Sequence, residues 1–192
     1  NFDRFKKKEK NLYLMSNVET IKLPELRVLQ SDLDEVCTAV LHCILFHRAL
    51  GIVKPIESHI QTLDIYYARI ADKDVDKQVM NHVSEFCSFI IAPENQRRGI
   101  LKIKFSEKQI VKGWFGAKSE KFVGWEQWYL PVRLANESLN KVEEARNRTA
   151  ESLDNVLNQI IDTINDPQRY IPKLTVQDKI PFPFEIQIVK ES

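Results

Sequence analysis

Two stretches of strict apolar–polar alternation, joined by a connection rich in glycine and tryptophan, constrain this chain more than any other feature. Leu101, Ile103 and Phe105 alternate with Lys102 and Lys104, and Trp128, Leu130, Val132 and Leu134 alternate with Gln127, Tyr129 and Arg133. Successive strand side chains point to opposite faces, so each stretch has one face for a core and one for water. The pattern predicts two antiparallel strands forming a hairpin with a long tip. Pro131 cannot donate a ladder hydrogen bond and points to an edge position or a bulge.

Around this hairpin the periodicity alternates between helix and strand. Ile21 to Leu29 reads as a strand broken by Pro24, which suits an edge or a strand start. A first helix follows, with Ser31 as cap, Asp34 and Glu35 at its positive end and Gly51 in the left-handed C-terminal position. Its apolar residues Val36, Cys37, Val40, Leu41, Ile44 and Leu45 cover most of the circumference, which predicts a central, nearly enclosed helix. Leu63, Ile65 and Tyr67 alternate against Asp64, Tyr66 and Ala68 as a strand. A second helix is capped by Asp72 or Asp74, carries Val75, Val79, Val83, Phe86 and Ile90 on one face, and stops before Pro93. A third runs from a cap at Asn136 to about Asn165, before Asp166-Pro167, with Leu139, Val142, Leu153, Leu157, Ile160 and Ile164 as its apolar stripe. Glu144, Arg148, Glu151, Asn155 and Asp162 lie opposite. Phe182, Phe184, Ile186 and Ile188 alternate as a last strand.

With 192 residues the chain suits one domain. Residues 1–14, with Lys6, Lys7, Lys8 and Lys10 ahead of Met15, read as a basic tail or a vector-derived remnant, and 15–192 as a single domain. The 28 basic and 27 acidic residues nearly cancel, so charge gives no reason to expect nucleic acid as partner. The longest apolar stretch, Val36 to Phe46, is too short to span a bilayer, and Cys37, Cys43 and Cys87 lack any CxxC spacing. These features suggest a cytoplasmic protein with reduced, buried thiols. No phosphate loop, dinucleotide fingerprint, nucleophile elbow or metal-binding motif occurs, so no cofactor, metal site or catalytic residue is expected. His42 and His47 are five apart and do not share a helix face, while His59 and His82 are isolated. Each reads as an ordinary core or surface histidine.

The hairpin tip stands apart. Three of the chain's five glycines, Gly113, Gly116 and Gly124, fall in this connection, and two of them bracket Trp114-Phe115. Glycine frees the backbone and the flanking Lys112 and Lys118 favour water, so both rings are expected at or near the surface as a protruding anchor. The alternatives are a loop folded back into the core, or insertion into anionic lipid as a secondary membrane contact. Trp125 and Trp128 belong with the core. Arg146 falls inside the third helix's apolar stripe, where a guanidinium must snorkel, pair or face a partner.

Taken together, Leu45-Phe46-His47-Arg48-x-x-Gly51, Tyr67-Ala68-Arg69, Trp114-Phe115 at the tip, Trp125-Glu126-x-Trp128 and Arg169-Tyr170-Ile171-Pro172-Lys173 resemble the HORMA-domain family over roughly residues 20 to 175. The resemblance implies an α+β fold of three helices packed on a mainly antiparallel sheet, with a protruding β-hairpin finger. It also implies a short C-terminal segment held in one open form, without the safety belt that lets other members trap a peptide. The implied role is that of a non-catalytic subunit of an autophagy-initiation kinase complex, acting in the cytoplasm and at the phagophore assembly site. Such a subunit pairs as a heterodimer with the HORMA domain of the complex's scaffold subunit, stabilises it, and recruits downstream autophagy factors through Trp114 and Phe115. The third helix would carry the scaffold contact, placing Arg146, Glu143, Asn147 and Ala150 in that interface.

Overall fold

The two alternating stretches are the longest strands among the described residues, and the main sheet is built on them. The computed structural model describes residues 18–49, 51–95, 97–112, 118–135, 142–172 and 182–190. In chain order the elements are β1 (Glu19–Lys22), β2 (Leu26–Val28), α1 (Leu33–His47), β3 (Pro55–Ile60), β4 (Ile65–Ile70), α2 (Lys73–Ile91), β5 (Arg98–Lys112), β6 (Lys118–Leu134), α3 (Val142–Ile164) and β7 (Phe184–Val189). The main sheet runs β1–β6–β5–β7, with β2 also on β6, and β3–β4 form a separate two-stranded sheet. β5 is antiparallel to β6 and β7, while β1 and β2 lie parallel to β6. The architecture is α+β, three helices on a mixed, mainly antiparallel sheet.

Pro131 lies neither at an edge nor in a bulge. Its register partner is Ile100 of β5, and its own strand, β6, has β5 on one side and β1 and β2 on the other. Its missing N–H does no harm because it faces the break in the neighbouring strand. The Tyr129 carbonyl on that side accepts from Leu23 N at 2.9 Å, and beyond it the neighbouring strand is interrupted between Lys22 and Leu26, where Pro24 lies.

α1 is enclosed as its composition requires, with Leu33, Val36, Cys37, Ala39, Val40, Leu41, Cys43, Ile44 and Leu45 all buried. Its ends differ from expectation. A 3₁₀ turn at Gln30–Asp32 leads in, Asp32 takes the N-cap position, and Ser31 Oγ donates to Asp32 Oδ1 at 3.0 Å instead of capping. Arg48, not Gly51, closes the C-terminus, its N–H donating to the Ile44 and Leu45 carbonyls. At α2 the Asp72 carboxylate accepts from Asp74 N at 2.8 Å and Val75 N at 3.1 Å, and the expected five apolar residues are buried.

The buried stripe of α3 is rotated from the expected one. Thr149, Leu153, Val156, Ile160 and Thr163 face inward, Leu157 and Ile164 lie at the margin, and Val142 is exposed. The cause is the open side of β1 and β2. Ser152 Oγ accepts from Arg27 N at 2.9 Å, Thr149 Oγ1 accepts from Leu29 N at 3.3 Å, and Gln159 Nε2 donates to the Lys22 carbonyl at 3.3 Å. A sheet edge needs its backbone groups covered, and α3 turns its small polar residues toward them. The expected cap Asn136 and stripe residue Leu139 lie outside the described residues, as do residues 1–14.

β3 has no counterpart in the expectations above. It pairs with β4 through a tight turn in which Asp64 takes a φ of 53°, a left-handed conformation that Asp tolerates. Leu63 belongs to this turn, so the strand begins at Ile65.

Candidate protein-docking site

β5 and β6 outrun every neighbour. β7 accompanies β5 only from Ile100 to Phe105, and β1 joins β6 only from Glu126 onward. From Ser106–Gly124 to Lys112–Lys118 the two strands pair with each other alone, and at about 3.4 Å per residue this ribbon reaches roughly 20 Å past the sheet. Ile110 and Phe122 are each 59% exposed and Val111 is 44% exposed. Ile110 and Phe122 share one face with Lys108 and Glu120, which are ion-paired at 2.6 Å. Trp114 and Phe115, in the connection that closes the ribbon, lie outside the described residues. Gly124 serves the base of the ribbon and not its tip: a Cβ there would meet Lys104 Cε at 2.4 Å, because the Lys104 stem crosses over it.

An isolated two-stranded ribbon is marginal in water, so its base carries the load. The register shifts between Phe105 and Ser106, leaving Trp125 as an extra residue, and this bulge turns both Trp125 and Glu126 inward. Trp125 packs edge-on against Phe182 and beside Phe105. Glu126 is fully buried and receives Arg48 in a two-pronged ion pair, Nε at 2.8 Å and Nη2 at 2.7 Å. Trp128 Nε1 donates to the same carboxylate. The Arg48 guanidinium lies 5.6 Å from the Trp128 ring centre and 5.9 Å from that of Trp125. Arg48 and Glu126 stood in the sequence only as letters of two motifs. The signal for the pair was available: Glu126 occupies the inward phase of β6, where a lone carboxylate demands a buried cation.

Helical spacing puts Glu143, Arg146, Asn147 and Ala150 on one face of α3. Glu143 and Asn147 are exposed, and Ala150 packs against the core at its margin. Arg146 both snorkels and pairs: its side chain is 37% exposed, and its Nε stands 3.9 Å from Oδ2 of buried Asp32. The exit motif is anchored through Arg169, which pairs with Glu19 of β1, while Tyr170 and Ile171 remain exposed.

A histidine and a cysteine meet within α1, where Cys43 Sγ lies 3.8 Å from His47 Nδ1. His42 is buried with Nε2 3.7 Å from Asp76 Oδ1, and burial lowers its pKa below the usual 6.5 against the opposing pull of Asp76. His47 Nδ1 contacts the Cys43 carbonyl at 2.7 Å, His82 Nδ1 the Gln78 carbonyl at 2.8 Å, and His59 stacks on Tyr66 with 4.0 Å between ring centres. Burial pushes Cys43 up to about 12 and Cys37 well above the ordinary thiol value. Cys87 is half-buried, not enclosed as expected, yet burial and nearby Asp34 push it up to about 11. Among the described residues no group of three His, Cys, Asp or Glu side chains could hold a metal ion, and no helix is long and apolar enough to cross a membrane.

Three helices on this mixed sheet, with a self-paired ribbon held by a buried Arg–Glu–Trp anchor, define a protein of the HORMA-like class. The model for the autophagy-related protein 101 family matches residues 25–178, and the chain belongs to that family. It is 29% identical to autophagy-related protein 101 of Arabidopsis thaliana over 92% of this chain and 89% of the relative. The corresponding figures are 29%, 90% and 86% for the Schizosaccharomyces pombe protein, and 23%, 81% and 76% for the Homo sapiens protein. The family's role in autophagy is that of a non-catalytic adaptor.

Proposed function

We propose that this protein is a docking subunit of an autophagy-initiation kinase complex, pairing with the HORMA domain of the scaffold subunit and recruiting downstream factors through Trp114 and Phe115. The observation that carries this reading is the ribbon, a rigidly based lever with exposed Ile110, Val111 and Phe122 whose closing connection contains the two aromatics. Exposed apolar side chains on a projecting element favour a protein partner, and Trp is the side chain most enriched at interface hot spots. The scaffold contact falls on the α3 face bearing Glu143, Arg146, Asn147 and Ala150. Localisation at the phagophore assembly site follows from membership in the complex.

The test is a Trp114→Ala/Phe115→Ala variant. It folds and co-purifies with the scaffold HORMA domain, but autophagosome formation in starved cells fails, since each hot-spot truncation costs about 2 kcal/mol or more, roughly thirtyfold in affinity. Full activity of this variant sinks the recruitment role. Flotation of the isolated protein with anionic liposomes, abolished by the same substitutions, would reassign the ribbon to lipid.

A further inference from the structure

At the end of β5 and β6 away from the ribbon, three arginines stand side by side. Arg27 of β2 is in register with Arg133 of β6, and Arg133 with Arg98 of β5. Register partners share a face, and because Leu26, Val28, Val132 and Leu134 take the buried face, these three take the outer one. Like charges directly opposite one another destabilise a sheet, so two such pairs in one row call for an anion. Glu25 supplies part of the compensation. Its Oε1 lies 3.0 Å from Arg27 Nε, and its Oε2 lies 3.0 Å and 2.9 Å from Arg133 Nε and Nη2. Arg148 of α3 borders the same place, 2.7 Å from Glu144. Three guanidinium groups line the recess against the carboxylates of Glu25 and Glu144, a formal excess of one positive charge, and Arg98, in the same row but outside that lining, makes no ion pair among the described residues.

Arg27, Arg133 and Arg148 line one cavity of about 320 Å³, walled by Leu134, Ala135, Ala145 and Thr149. We propose that this cavity is a phosphate-binding site that takes the phosphoryl group of a phosphorylated side chain on a partner protein. Guanidinium forks match phosphate oxygens two at a time, and a phosphoryl group offers more charge and more acceptor oxygens than the single carboxylate that bridges Arg27 and Arg133. The bridging Glu25 demonstrates that one anionic group can reach Arg27 and Arg133 together. The apolar walls of Leu134, Ala135 and Ala145 beside the arginines suit one inserted side chain of a protein partner. The site is independent of the ribbon and its aromatics.

The experiment is calorimetric titration of the full chain with a short phosphoserine peptide, its unphosphorylated twin, and inorganic phosphate, each to about 10 mM. The phosphopeptide and inorganic phosphate saturate one site and the twin does not. Arg27→Gln/Arg133→Gln weakens phosphopeptide binding about tenfold or more, with circular dichroism unchanged. Glu25→Gln strengthens it several-fold, because the internal competitor is gone; a Glu25 that merely neutralises its neighbours for folding would not move affinity in that direction. The proposal is overturned if wild type and Glu25→Gln both fail to saturate, if the arginine variant binds like wild type, or if phosphatidylcholine vesicles containing a phosphoinositide bind through these arginines while the phosphopeptide does not.

Discussion

Breaking the anchor beneath the ribbon should expose how much of this fold rests on one buried charge pair. Arg48 is 1% and Glu126 0% exposed, so replacing either alone strands the other charge in the core. Removal of one partner from a buried pair costs about 3–5 kcal/mol. For a chain of this size, where about 2–4 °C accompanies each kcal/mol, Arg48→Met or Glu126→Leu lowers the melting temperature by roughly 6–20 °C. The double variant behaves differently. Both charges are gone, two apolar side chains of similar volume fill the space, and the main residual cost is Trp128 Nε1 without its acceptor, about 1–3 kcal/mol. The double variant is therefore more stable than either single one, and urea titrations of the four proteins give a coupling of several kcal/mol. Hydrogen exchange adds a local readout, because amides of Ser106–Lys112 open faster in the single variants. Strict additivity, or single variants within about 1 kcal/mol of wild type, would refute the anchor.

Three further outcomes follow from local geometry. A Cβ at Gly99 would lie 2.9 Å from Phe86 Cε2 and 3.0 Å from Phe89 Cε1, and Phe86 is fully buried; Gly99→Ala should cost about 1–3 kcal/mol in urea titration, and an unchanged midpoint contradicts this packing. Cys87, pushed up to about 11, holds much less thiolate at pH 8 than an unfolded thiol, and with the greater nucleophilicity of a high-pKa thiolate offsetting part of that loss iodoacetamide labels it roughly tenfold more slowly in native than in denatured protein; equal rates would contradict the burial. The lowered pKa of His42, with Asp76 and Arg69 facing it, means that the native state binds fewer protons than the unfolded chain once pH falls below 6.5. Its contribution to stability is whole above 6.5 and declines as pH drops toward the native value. Between about pH 7.5 and 5.5, His42→Gln should lose less stability than wild type, and parallel curves would remove the histidine from this role.

Much of the architecture was legible because period and burial are local properties. The alternation in β5 and β6, the all-round apolar α1 and the Asp72 cap each depend on residues within a turn or two of one another. The structure departs from the local pattern where a distant partner intervenes. The stripe of α3 rotated to serve the bare edge of β1 and β2, and Pro131 stayed in the middle of a sheet because Pro24 broke the strand beside it. β3 is not legible in the sequence because Pro55-Ile56-Glu57-Ser58-His59-Ile60 carries little apolar alternation, and only its pairing with β4 makes it a strand.

For the docking site the division is similar. Glycines around Trp114-Phe115 marked the tip from the letters alone, since side-chain type and backbone freedom need no third dimension. That the ribbon stands clear of its neighbours depends on where β1 and β7 stop, and that Arg48 meets Glu126 depends on a helix end and a bulge 78 residues apart in the chain. The three-arginine row is also a product of register: Arg27, Arg98 and Arg133 are unremarked polar positions in their own strands and become one charged cluster only when pairing sets them opposite one another. Local chemistry chose the elements; long-range pairing, which no short window contains, chose which charges and rings would meet.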